Sequence, residues 1–195
     1  MGQITTVPGG GESARERVLG AAYELFSTRG IQAVGVDAII QRSGVARQTL
    51  YRQFGSKQEL VLAVLALREQ VWTRDWLEAE IAERSDDPSQ QLLAIFDVFG
   101  EWFREPGFEG CTFINVMLEH AAEDDPIRVA STSYLSAIRA MVERLAREAG
   151  VPDSDAFARK WHILMKGSIV AAGEGDADAA RRAQEMGRLL LAAAS

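Results

Sequence analysis

From Ser13 onward the apolar residues of this chain recur three and four places apart, and no run alternates apolar with polar residues between hairpin turns. That periodicity limits the chain to an all-α architecture. Stop and start signals divide it into about nine helices. The first opens at Ser13, with Glu16 three residues on as a capping box, and carries Val18, Ala22, Leu25 and Phe26 on one stripe to a stop at Gly30. Two short helices follow, at about 36–42 and 46–54, separated by Ser43-Gly44-Val45. Ser56 with Glu59 forms a second capping box and launches a long fourth helix that runs to about Arg84, where SDDPS breaks it. The remaining five lie at about 89–104, from near Cys111 to before Asp124, from Asp125-Pro126 to Gly150, from Pro152-Asp153 to about Ala172, and at about 177–193.

The 195 residues are 47% apolar, enough to bury a core. The longest apolar run, LVLAVLAL at 60–67, is far shorter than the roughly 18 residues of a membrane span, so no membrane partner is expected. The start MGQITT fits the loose M-G-x-x-x-[ST] acylation pattern, but TVPGGGES after it makes residues 1–11 read as an ordinary flexible tail. Cys111 is the sole cysteine and no secretion signal leads the chain, which points to the cytoplasm.

Charge is unevenly spread. The net charge is −7, yet residues 1–57 carry seven Lys and Arg against four acids, a balance of +3, and the remainder carries −10. Such an asymmetry suggests that the first part meets a polyanion. Within it, residues 36–54 have the layout of a helix-turn-helix. Ile39, Val45, Leu50 and Phe54 account for its inner face, leaving Arg47, Gln48, Thr49, Tyr51 and Arg52 outward. These side chains can reach base edges, a thymine methyl or phosphate oxygens in a major groove. Lys57 stands at the start of the fourth helix, where unpaired N–H groups already favour an anion, and is expected to clamp a phosphate.

IIQRSGVARQTLYRQFGSKQEL resembles the helix-turn-helix signature of the tetracycline-repressor (TetR) family of bacterial transcription regulators, of which I-A-x-x-A-G-V-x-x-G-T-L-Y-x-H-F-x-S-K-E-E-L is a typical form. The likeness covers about residues 12–65. It implies a DNA-binding head at 12–57, a larger ligand-binding and dimerisation part at 58–195, a homodimer, a double-stranded operator and a small-molecule effector. It further implies phosphate contacts from Tyr51 and Lys57. Three positions depart from the pattern: Gly35 stands where a capping Ser or Thr is usual, Gln48 replaces a small residue, and Gln53 replaces His or Tyr. Arg42 and Gln53 read as solvated or internally paired rather than as base contacts.

Large apolar side chains concentrate in residues 89–172, and helical spacing makes most of them core. The family likeness implies an effector cavity among them, for which Trp102, Phe113, Met117, Tyr134 and Trp161 are the candidates. Cys111, at the start of the sixth helix, carries two readings: inert packing, or a thiol activated by the helix N-terminus as in some members of that family. His120 and Asp124 lie one turn apart, but no paired-His motif accompanies them, and no metal or cofactor is expected. Nor is there a catalytic triad, phosphate loop or dinucleotide fingerprint, so no enzyme is expected. Two rival readings predict different behaviour: a constitutive DNA-binding protein with no inducer, and a helical carrier or enzyme that keeps the head only as scaffold. Ile163, Ile169, Val170, Leu189 and Leu190, with many Ala, Gly and Ser, give the last two helices faces for close helix packing, and the family likeness implies that these two helices form the dimer.

Overall fold

A computed structural model of the chain describes residues 13–194; the tail at 1–11 and its acylation pattern lie outside the described residues. Within them all regular structure is helical, and nine helices follow in order. These are α1 (Ala14–Arg29), α2 (Val36–Ser43), α3 (Arg47–Phe54), α4 (Lys57–Arg68 continued by Glu69–Glu78 and Ala79–Arg84), α5 (Pro88–Trp102), α6 (Thr112–Glu119), α7 (Pro126–Glu148), α8 (Ser154–Gly173) and α9 (Ala179–Ala194). They fall into two compact units that interleave along the chain, one of residues 13–71 with 112–133 and one of 72–111 with 134–194.

Helix starts follow the local chemistry. The Ser13 hydroxyl accepts from the Glu16 N–H at 3.2 Å, and the Ser13 N–H donates to the Glu16 carboxylate at 2.8 Å, so the first capping box is complete. The bond from the Ser13 N–H, and then the Ser13 hydroxyl, hold the Glu16 carboxyl below its usual range. The second box closes only halfway: Ser56 Oγ accepts from the Glu59 N–H at 3.1 Å, while the Ser56 N–H donates to the Phe54 carbonyl at 2.7 Å. Asp87, Asp125 and Asp153 cap α5, α7 and α8 by accepting from N–H groups at 2.8, 2.8 and 3.1 Å. Gly35, as its lack of a side chain requires, caps α2 with no side-chain bond.

The middle of α4 departs from the expected regular helix: Glu69–Glu78 winds as a π-helix. Leu65, Glu69, Thr73, Leu77 and Ile81 are all buried, a strict four-residue row. An α-helix of 3.6 residues per turn would rotate that row away from its partners, and a wider turn compensates. The apolar pattern carried the helix to about Arg84 but did not show the change of register.

In the first unit, α1 packs against α2, α3 and α4 through Val18, Ala22 and Phe26, and Leu50 and Phe54 of α3 close the core beneath them. In the second, α9 packs against α5 and α8. Trp161 of α8 stacks on Phe157 at 5.2 Å and meets Phe96 of α5 at 5.4 Å. Gly187 of α9 makes room for them, since a Cβ there would stand 2.8 Å from the Trp161 ring and 3.3 Å from that of Phe96. One polar clamp crosses this layer: Gln184 donates to the Leu93 carbonyl at 3.0 Å and to Asp97 Oδ1 at 2.7 Å, and accepts from Arg188 at 2.6 Å.

Candidate nucleic-acid interface

The short helix α3 is held from below. Leu50 is wholly buried and Phe54 nearly so, and burying side chains of that size contributes about 1.5–3 kcal/mol each. Val45 and Ile39 are buried where α2 and α3 meet, as their spacing predicts. The turn between the helices rests on Gly44, at φ 65° and ψ 19°, whose N–H donates to the Ile40 carbonyl at 3.0 Å. That left-handed conformation is open to glycine without the Cβ penalty other residues meet. Ser43 Oγ then accepts from the Val45 N–H at 3.3 Å and fixes the approach to α3.

Seated this way, α3 turns Arg47, Gln48, Tyr51 and Arg52 to solvent, with Thr49 half-buried. Tyr51 is 38% exposed despite its ring, so its phenol is available to an external acceptor. Arg52 makes no ion pair among the described residues. Arg47 pairs with Asp37 of α2. Both partners are exposed, and such pairs are worth little and exchange readily for a stronger anion. Lys57, half-buried, donates to the Ile31 carbonyl at 2.9 Å. An ammonium has three N–H donors, so two are left for another acceptor.

Further cations sit close by. Arg42 forms a forked pair with Glu24 at 2.7–3.0 Å, in keeping with the reading that it is engaged internally. Arg15 lies over the Phe54 ring at 4.9 Å and covers the end of α3. Sequence reasoning did not find the internal partners Asp37, Glu24 and Ile31, because each depends on how α1, α2 and α4 are brought together.

The candidate effector residues divide between the units. Trp102, Cys111, Tyr134 and Trp161 belong to one, and Phe113 and Met117 to the other. Trp102 is buried edge-on against Trp72 and Phe108, each at 4.9 Å between centroids, and Trp161 lies in the core described above. Cys111 is buried as a free thiol. A hollow lined by Ser89, Gln90, Leu93, Val151 and Arg188 includes none of these six. His120 finds its partner outside the expected pair: Nδ1 lies 2.8 Å from Asp125 Oδ2, one residue beyond Asp124, and this bond, before that from the Ile127 N–H, holds the Asp125 carboxyl below its usual range. On α8 and α9, Ile163 and Leu189 are 68% and 72% exposed, with Val170 and Met186 also outward, whereas Ile169 is buried. No helix among the described residues is long and apolar enough to cross a membrane.

Residues 18–64 match the profile described as bacterial regulatory proteins, tetR family. An HTH-type transcriptional regulator of Lactococcus lactis is 24% identical over 117 residues, 60% of this chain and 59% of that protein. The HTH-type transcriptional activator FasR of Mycolicibacterium smegmatis is 48% identical over 54 residues, 28% of this chain. The chain thus spans 59% and 25% of the length of these two relatives. Among solved structures, a TetR-family transcriptional regulator from Streptomyces coelicolor is 28% identical, with a TM-score of 0.82, over 93% of this chain and 96% of that one.

Proposed function

This chain belongs to the TetR family of bacterial regulatory proteins, and from that premise we propose that it is a cytoplasmic, dimeric one-component transcription regulator. Residues 12–57 form its DNA-binding head and 58–195 its effector-binding and dimerisation part. The observation that carries this reading is the outer face of α3, where Gln48, Tyr51 and Arg52 stand exposed over a seat made by Leu50 and Phe54. An α-helix fits the major groove, where Arg and Gln read guanine and adenine edges and Tyr and Lys hold phosphates. One such helix reads few bases. Two, related by a dimer axis, read a palindrome with half-sites about 34–36 Å apart. The outward Ile163, Val170, Met186 and Leu189 support a dimer through α8 and α9, because so many large apolar groups left in water favour a second copy.

The output is repression, relieved when a small molecule binds the second part of the chain. Such an effector must bind the released form more tightly than the DNA-bound one, since equal affinity would shift nothing. The helix α4 is the lever, as it runs from Lys57 beside the head into the larger part.

Selection of bound duplexes from a random pool tests the reading. A palindrome is expected to emerge, with affinity falling steeply between two salt concentrations as counterions are released. Tyr51→Ala with Lys57→Ala is expected to abolish that binding while the fold persists. No enrichment by a folded dimer would refute the DNA-binding reading, and a reporter gene that rises with the protein would refute repression.

A further inference from the structure

The loop between α1 and α2, residues 30–35, is held from two directions by parts of the chain distant from it in sequence. On one side Lys57, at the start of α4, donates to the Ile31 carbonyl at 2.9 Å. On the other, the side-chain amide of Gln32 donates at 3.1 Å to the carbonyl of Glu119, the last residue of α6, across 87 residues of sequence. All three segments belong to the unit of residues 13–71 and 112–133. Gly30 lets the loop come close: its φ of 76° suits glycine, and a Cβ there would stand 3.0 Å from Glu119 Oε1.

The end of α6 is itself fixed. The last carbonyls of a helix find no partner within it, and here Arg128 of α7 donates to those of Met117 and His120 at 2.8 and 2.9 Å. The Glu119 carbonyl between them goes to Gln32. Ile31 and Val34 are buried and pin the loop from within, but their burial does not aim the Ile31 carbonyl. That carbonyl belongs to the rigid peptide plane joining residues 31 and 32, and turning the plane swings the oxygen while the buried side chain stays in place. Gln32, at the other end of the plane, opposes the turn through its tether to Glu119.

We infer that Gln32 is a positioning residue for Lys57: tied to the end of α6, it keeps the Ile31 carbonyl where Lys57 bonds to it, and so connects residues 112–133 to a DNA contact by a route other than α4. This rests on the DNA-binding reading proposed above. With one N–H of its ammonium held by Ile31, Lys57 keeps the other two for a phosphate. The tether lies in water and is worth one ordinary hydrogen bond, so a shift of the α6 end releases it readily.

Gln32→Met keeps the length of the side chain and removes its donor, and two measurements on the full chain read the result. The chain has three lysines, Lys57, Lys160 and Lys166, so brief acetylation by an amine-reactive ester, mapped by mass spectrometry, compares Lys57 with exposed Lys160 in the absence of DNA. Gln32→Met is expected to raise the Lys57 rate relative to Lys160 by about three- to tenfold, the worth of one hydrogen bond. Operator affinity should fall by a similar factor, and the slope of log affinity against log salt should shrink by about 0.9, the share of one phosphate contact. In a Lys57→Ala background Gln32→Met should change neither. A loss that persists in that background would overturn the inference, because Gln32 would then touch DNA itself or support the head as a whole. So would an unchanged Lys57 rate. The two readings fail separately: a faster Lys57 in a protein that binds no operator upholds the positioning and defeats the regulator, and operator binding with the Lys57 rate unmoved does the reverse.

Discussion

The cations of the head and those of the larger unit find their partners at different ranges along the chain. In the head, Arg42 is paired with Glu24, Arg47 with Asp37, and Lys57 with the Ile31 carbonyl. In the other unit, Arg147 pairs with Glu143, Arg159 with Asp155 and Arg181 with Glu185, each four residues away on its own helix. An exposed pair can exchange its carboxylate for a phosphate at little cost, since surface ion pairs contribute about 0–1 kcal/mol. A pair one turn apart on a single helix forms wherever that helix forms. The head's pairs need separate elements brought together; pairs within one helix do not.

The comparison can be broken most severely by removing the seat on which the head's charges stand. Leu50→Ala is expected to destabilise by about 2–5 kcal/mol, read by denaturant unfolding, because its wholly buried site cannot collapse without moving α1 and α2. Operator binding should be lost with it. In the larger unit, Gly187→Ala should cost about 1–3 kcal/mol by forcing a methyl against Trp161 and Phe96, although alanine is the better helix former. A thermal melt that rises instead would mean that the Trp161 ring moves freely.

The state of His162 sharpens the contrast by pH. Its folded value of about 3 lies below the ordinary 6.5, so the unfolded chain binds the extra proton first. Its contribution is fully present above about 6.5 and is lost as pH falls towards 3, by at most about 1.4 kcal/mol per pH unit. His162→Gln should flatten that part of the stability profile, measured by unfolding from neutral to acid pH. The smallest effect belongs to the exposed pair: Asp37→Ala should change stability by less than about 1 kcal/mol and raise operator affinity by freeing Arg47. A clear loss of affinity would show that Asp37 positions Arg47 for DNA.

Much of this was legible residue by residue. Capping at Ser13, the aspartates before α5, α7 and α8, and the buried positions Ile39, Val45, Leu50 and Phe54 all follow from neighbours within one or two turns. Gly35 was correctly read as a helix start without a side-chain cap. The half-closed box at Ser56 was not legible, because the Phe54 carbonyl competes for the same N–H once Gly55 turns the chain. The π-register of α4 also escaped, since a four-residue row of buried side chains suits two helical geometries when no partner is specified.

By itself the sequence determined the helical class, the helix boundaries to within a few residues, and the outward set on α3, because each of these depends on periodicity and on contacts close along the chain. Tertiary structure alone decided which charges find a partner. Glu24 meets Arg42 from 18 residues away, and Lys57 reaches Ile31 from 26. Electrostatic partnership acts through space and through burial, and neither is written in the local pattern.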